Sequence, residues 1–157
     1  MSTSYHKLRQ KAEDAIERVI LSHTSDLSDC AFFKRHNNQT LSTPRIAIAC
    51  TRVEPEIIGG EGGFAGELTG NGFAYVSVFV TSHRSELDRE THNERCALVE
   101  DALMRNDVVA LINRDTADQL HAYSWRPEYV GDDDGNEIEV TTPYGGILYC
   151  CPTEEPA

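Results

Sequence analysis

Between Phe73 and Met104 the apolar positions change period, alternating from Phe73 to Thr81 and then, after a polar turn, recurring every three or four residues. That switch predicts a strand leading into a helix. Ala74, Val76, Val78 and Val80, all small or β-branched, share one face of the strand and read as its core side. Phe73, Tyr75, Ser77, Phe79 and Thr81 share the other. Rings mixed with hydroxyls suit either a contact between subunits or a second layer within one chain. In the helix, Cys96, Val99 and Leu103 form one stripe with Ala102 beside it, while Arg95, Glu100 and Asp101 fall outside or at its margin. Thr91 to Glu94 fits a capping box, and Ser85 to Asp88 offers an earlier start.

The rest of the chain follows the same grammar. Leu8, Ala12, Ala15, Ile16, Val19 and Ile20 predict an amphipathic helix over Tyr5 to Leu21, capped by Ser4. Ala31, Phe32 and Phe33 form an apolar knot that anchors an otherwise polar loop, and Arg45 to Thr51 alternates as a first strand with Ile46, Ile48 and Cys50 on one side. Arg52 to Gly72 holds seven of the eleven glycines together with Ile57, Ile58, Phe64 and Leu68. It reads as an extended hairpin or arm with apolar anchors, ordered against a neighbouring molecule. A short helix capped by Asp107 is expected over Asn106 to Arg114, then a strand over Leu120 to Arg126 ended by Pro127. Asp134-Gly135 is a hairpin turn signal with Glu137 to Thr142 returning, and Pro143-Tyr144-Gly145-Gly146 breaks the chain before a last apolar piece, Ile147 to Cys151. The expectation is one α+β domain over residues 1–157. It has a four- to five-stranded mixed or antiparallel sheet, an N-terminal and a central helix packed on one face, a Gly-rich arm at 52–72 and a disordered tail from about 152.

Charge narrows the function. Against 14 basic residues stand 26 acidic ones, a formal −12, so the average field repels a phosphate backbone and DNA binding is disfavoured. No run approaches the ~20 apolar residues of a membrane span and the N-terminus has no signal-peptide core, which implies synthesis in a cytoplasm and no membrane partner. The five cysteines, Cys30, Cys50, Cys96, Cys150 and Cys151, show no metal or redox spacing and read as reduced, mostly buried small hydrophobes.

Candidate chemistry is thin. There is no Gly-x-Ser-x-Gly turn. Gly60-Glu61-Gly62 is followed by a strand pattern rather than the helix a phosphate loop needs. His83, Asp88 and His92 could hold a metal, against the plainer reading of polar residues around a helix start. Asp132, Asp133, Asp134, Asn136 and Glu137 have the wrong glycine position and no twelfth-position glutamate for a calcium loop, and read as a solvated hairpin tip.

The sequential layout resembles that of the tail terminator, or tail completion, proteins of long-tailed bacteriophages. Carrying the resemblance are the N-terminal amphipathic helix, the strand RIAIACT, the β-rich run ending in YVSVFVTSH, the polar turn SELDRETHNE, the helix RCALVEDALMR and a closing β-hairpin. The Gly-rich arm and the Tyr144 to Cys151 ending have no counterpart in it. The resemblance implies a non-enzymatic virion subunit, without cofactor, metal or catalytic residues, that forms a homo-oligomeric ring, typically a hexamer. Such a ring sits at the head-proximal end of the tail, stops tail-tube growth and joins the tube to the connector and neck proteins of the head. Genomic DNA passes through it without specific binding, which an acidic subunit favours. A head-to-tail ring needs two different patches. The expected interface residues are Phe73, Tyr75 and Phe79 on the strand face and Ile57, Ile58 and Phe64 on the arm. Alternatives are another neck or head-tail joining protein, a small metal-dependent hydrolase using His83, Asp88 and His92, and an acidic mimic of DNA.

Overall fold

The computed structural model describes residues 5–23, 26–27, 29–34, 44–59, 66–84, 89–114 and 118–153. The chain is α+β. Helix α1 (Tyr5–His23), strands β1 (Ala31–Lys34), β2 (Arg45–Ile58) and β3 (Glu67–His83), helices α2 (Arg89–Leu103) and α3 (Val108–Arg114), and strands β4 (Leu120–Val130), β5 (Asp134–Gly135) and β6 (Glu139–Pro152) follow in order. They build a six-stranded mixed sheet of order β1-β2-β3-β6-β4, with β5 also paired to β6. β1 runs parallel to β2 and every other pairing is antiparallel.

Alternation decides which side of this sheet is dry. Ile46, Ile48, Cys50, Ala74, Val76, Val78, Val80, Tyr144, Leu148 and Cys150 all point one way and are buried. They form one core with the inner stripes of all three helices, among them Leu8, Ile16 and Ile20 of α1, Val99 and Leu103 of α2, and Ile112 of α3. The helices therefore lie together on one face of the sheet. Buried Glu13 of α1 accepts a hydrogen bond from the Cys50 amide of β2 at 2.8 Å, just beyond the last β1 pairing at Ile48. At the other end, the Trp125 indole donates to the Leu103 carbonyl at 2.8 Å and ties β4 to the end of α2.

Several predicted boundaries move, each for a local reason. The Ala31 to Phe33 knot is a short strand on the sheet edge rather than a loop anchor. α2 begins at Arg89, so Thr91 lies within its first turn instead of capping it, and Arg95 is buried rather than marginal. Asp107 opens α3 through its carbonyl, which accepts from the Leu111 amide, while its carboxylate is held by the Arg105 fork at 2.7 and 2.8 Å. The arm is a ladder, with Ile57 opposite Leu68 and Ile58 opposite Glu67 at the far end of β2 and β3. β4 continues through Pro127, which an edge strand tolerates.

β6 runs unbroken through Pro143 to Gly146, where a break was expected. The Pro143 carbonyl accepts from the Gly131 amide on the β4 side, so its ring nitrogen also faces the interruption between β4 and β5, where no donor is required. The turn of the β5–β6 hairpin spans Asn136 to Glu139, two residues past the expected Asp134-Gly135. Asn136 sets it, its Oδ1 accepting from the Ile138 and Glu139 amides. The expected Ser4 cap, Phe64 and the tail residues 154–157 lie outside the described residues, whereas Pro152 is part of β6. Among the described residues no helix is long and apolar enough to cross a membrane.

Candidate assembly surface

Away from the helices the sheet presents a second face, and among the described residues no element packs on it. The strand registers bring Phe73 opposite Tyr149, Tyr75 opposite Ile147, and Phe79 opposite Pro143. On the far side of β6, Ser124 pairs with Tyr149, Arg126 with Ile147 and Tyr129 with Gly145. The rings engage one another: Phe73 and Tyr149 stack at 4.8 Å between centroids and 20° between planes, and Tyr123 leans on Tyr149 at 5.1 Å. Arg52 sits 4.1 Å above the Tyr75 ring. Each of these aromatic side chains is nevertheless partly or largely solvent-exposed.

Polar groups fix the rings in place. The Tyr75 hydroxyl donates to Glu54 at 2.9 Å, and the Tyr149 hydroxyl donates to Glu56 at 2.7 Å while accepting from Asn71 at 3.0 Å. Accordingly the Tyr149 hydroxyl holds its proton more tightly than usual, mainly because it donates to the Glu56 carboxylate. The Ser77 and Tyr129 hydroxyls lie 2.8 Å apart. Around them the charges pair off as Arg45 with Glu139 at 2.8 Å, Arg52 with Glu54 at 3.1 Å and Arg126 with Glu128 at 2.5 Å. Two hollows flank Tyr75 and Ile147, one of about 290 Å³ toward Phe73 and Tyr149, the other of about 380 Å³ toward Ser77 and Tyr129.

Of the residues expected from sequence at an interface, Phe73, Tyr75 and Phe79 thus share this open face, and Ile57 and Ile58 stand at the far end of the β2–β3 hairpin, 56% and 65% exposed. The two groups are separate patches. Tyr123, Tyr129, Ile147 and Tyr149 also belong to the face and were missed. Reading Thr141, Pro143, Gly145, Ile147 and Tyr149 as one alternating strand would have put Ile147 and Tyr149 on a single strand face, and the pairing in space then sets Tyr149 beside Phe73.

The predicted metal residues do not converge. His92 is 1% exposed and turns into the core, its Nδ1 lying 2.8 Å from the Ser82 hydroxyl and its Nε2 2.9 Å from that of Thr142. His83 follows Ser82 in the strand and points to the opposite face, and Asp88 lies outside the described residues. Among the described residues no group of three His, Cys, Asp or Glu side chains could hold a metal ion. At the acidic hairpin, Asp133 accepts from Thr142 and Asp134 accepts from the Gly135 amide at 2.7 Å, so these oxygens are used within the turn.

What sequence reading left unseen is the buried polar run around His92. Arg95 donates to Asp29 at 2.6 Å and to Ser82 at 3.3 Å, and Cys96 lies 3.4 Å from Nε2 of His92. Burial favours a neutral Asp29, yet the hydrogen bond and charge of Arg95 prevail and hold its carboxyl below the usual range. Burial, helped by the Asp29 charge, pushes the Cys30 thiol up to about 12. Ser82, His92, Arg95, Cys96 and Thr142 of this run are buried, while Asp29 at its end is exposed. No known protein-family model matches this sequence, and no curated protein matches it either.

Proposed function

We propose that this chain is a structural subunit of a bacteriophage virion that closes into a ring at the head-proximal end of a long tail, where it ends tail-tube growth and joins the tube to the head connector. The observation that carries the proposal is the sheet face on which no described element packs, where Phe73, Tyr75 and Tyr149 are held by one another and by Glu54 and Glu56 but keep exposed ring surface. A face of pre-set aromatic side chains with paired charges has the composition of a protein–protein interface. Exposed Ile57, Ile58 and Leu68 at the end of the described β2–β3 pairing offer a second, different surface, which head-to-tail closure requires. The element order agrees with the layout expected of a tail terminator subunit, and the net charge of −12 suits a passage for DNA that must not retain it. No chemistry is assigned to the chain.

The test is direct. Mass photometry and negative-stain imaging of the purified protein, alone and mixed with tail tubes and connectors, should show closed rings or a cap on the tube end. A protein that stays monomeric in every mixture would overturn the reading. Immunogold labelling of virions at a site other than the neck would keep an assembly role but refute the terminator position.

A further inference from the structure

We propose that β1 is a latched strap: it is anchored in the core at one end and closed by Lys34 at the other, so that releasing this one ammonium bares the start of β2 while the rest of the sheet stays paired. A latch within one subunit does not depend on ring closure. β1 is four residues long, stands at the margin of the sheet and, among the described residues, pairs with β2 alone. A short strand with one neighbour opens at less cost than the interior of a sheet.

Its two ends are held differently. Before the strand, Leu27 and Cys30 are buried and belong to the core, and the Cys30 amide donates to the Leu27 carbonyl at 3.0 Å. Within it, Phe32 packs at the margin of the core and Phe33 is buried. At the far end the register sets Lys34 opposite Ile48, so its side chain lies on the helix side of the sheet, where its neighbours are apolar. Its Nζ stands 2.7 Å from Oδ1 of Asp14 and 3.2 Å from Oε1 of Glu17, both on α1. These three side chains are only 20%, 25% and 19% exposed. Burial favours a neutral Lys34, yet its bonds to Asp14 and Glu17 prevail and hold its proton more tightly than usual.

Asp14 and Glu17 are three positions apart on one helix, where two carboxylates repel unless a cation stands between them. Losing the ammonium therefore removes an attraction and creates a repulsion, both at the far end of β1, while the anchored end keeps its apolar seat. Release bares the β2 border from Arg45 to Ile48. It stops short of Cys50, whose amide is held by Glu13 at 2.8 Å. The strap thus governs access to a short border able to pair with an extended chain.

Hydrogen exchange read by mass spectrometry tests the latch on the whole chain. In Lys34→Gln the peptide containing Ala31 to Lys34 should exchange about tenfold faster than in the parent, while peptides of β3 and β6 keep their rates. Adding Asp14→Asn and Glu17→Gln to Lys34→Gln removes the repulsion and should restore part of the protection, which a merely looser edge would not do. If Lys34→Gln fails to fold by circular dichroism, Asp14→Asn with Glu17→Gln in the parent undoes the latch from the helix side and should give the same local acceleration. The latch is overturned if β1 exchanges no faster in the variant that folds, if β1 and β3 speed up together, or if the triple variant restores nothing. A parent whose β1 already exchanges as fast as an unprotected chain overturns it as well.

Discussion

His92 is the residue whose surroundings dictate most about its own state. The single hydroxyl hydrogen of Thr142 goes to Asp133, so Nε2 of His92 must be the donor in its bond to Thr142. In its neutral form the ring then has a bare Nδ1 that accepts from Ser82, whose oxygen in turn accepts from Arg95. Nitrogen NMR of the neutral imidazole should therefore find the Nε2–H tautomer. Thr142→Val keeps the shape and removes that acceptor, and should lower the unfolding free energy by about 1–3 kcal/mol in a urea titration. The Asp29–Arg95 pair makes a pH prediction. A carboxyl held below its unfolded value contributes stability that is fully present above about pH 4 and is lost as pH falls through the lower folded value. Asp29→Asn should flatten that part of the stability-versus-pH curve and, since Asp29 is 57% exposed, cost only about 1 kcal/mol at neutral pH. None of this run was legible in sequence, because Asp29, Ser82, Thr142 and the His92–Arg95 turn of α2 come from four separate places and look individually like surface residues.

The cysteines, by contrast, could be read from composition alone. Cys30, Cys50, Cys96 and Cys150 are buried and Cys151 is half-exposed. Burial raises the thiols of Cys30, Cys150 and Cys151 above their ordinary range, so alkylation of the native protein should be slow and should mark Cys151 first, as peptide mapping would show.

Among the elements, β6 separates what patterning shows from what it hides. The β3 alternation and the α1 stripe were plain, because a strand or helix with one dry side must repeat its apolar residues at the period of its own geometry. Pro143, Gly145 and Gly146 mimic a chain break because their local preferences oppose a strand. Tertiary packing overrides them. A Cβ at Gly145 would stand 2.2 Å from the Tyr129 ring and one at Gly146 2.4 Å from the Trp125 ring, so these glycines exist to let two aromatic side chains lie across the strand. Gly146→Ala should therefore cost about 1–3 kcal/mol by overpacking against Trp125, measurable as a lower thermal midpoint with a red-shifted tryptophan emission. Gly145→Ala should dislodge Tyr129 and its contact with Ser77.

At the scale of the whole molecule the six-stranded α+β sheet carries its asymmetry openly, with helices on one side and an aromatic, charge-paired surface on the other. The alternation of β3 located this surface, although its extent depended on β4 and β6 registers that only pairing in space reveals. Association through a balanced face between strongly acidic bodies has a characteristic salt response. Raising ionic strength from about 0.01 to 0.15 M shortens the screening length from about 30 to 8 Å and removes the long-range repulsion, while apolar contact is left intact. Self-association should accordingly tighten with added salt in sedimentation equilibrium, opposite to the weakening expected of a contact held by opposite net charges.

The bond from the Cys50 amide to Glu13 has a meaning for the margin of the sheet. Among the described residues β1 pairs only with the first part of β2, and an unpaired strand border is the kind of site onto which a foreign polypeptide can graft. An intruder extending from β1 would first have to tear a desolvated side-chain oxygen from its amide, deep beneath the first helix. That one buried contact stands against the addition of a foreign strand at this point of the border.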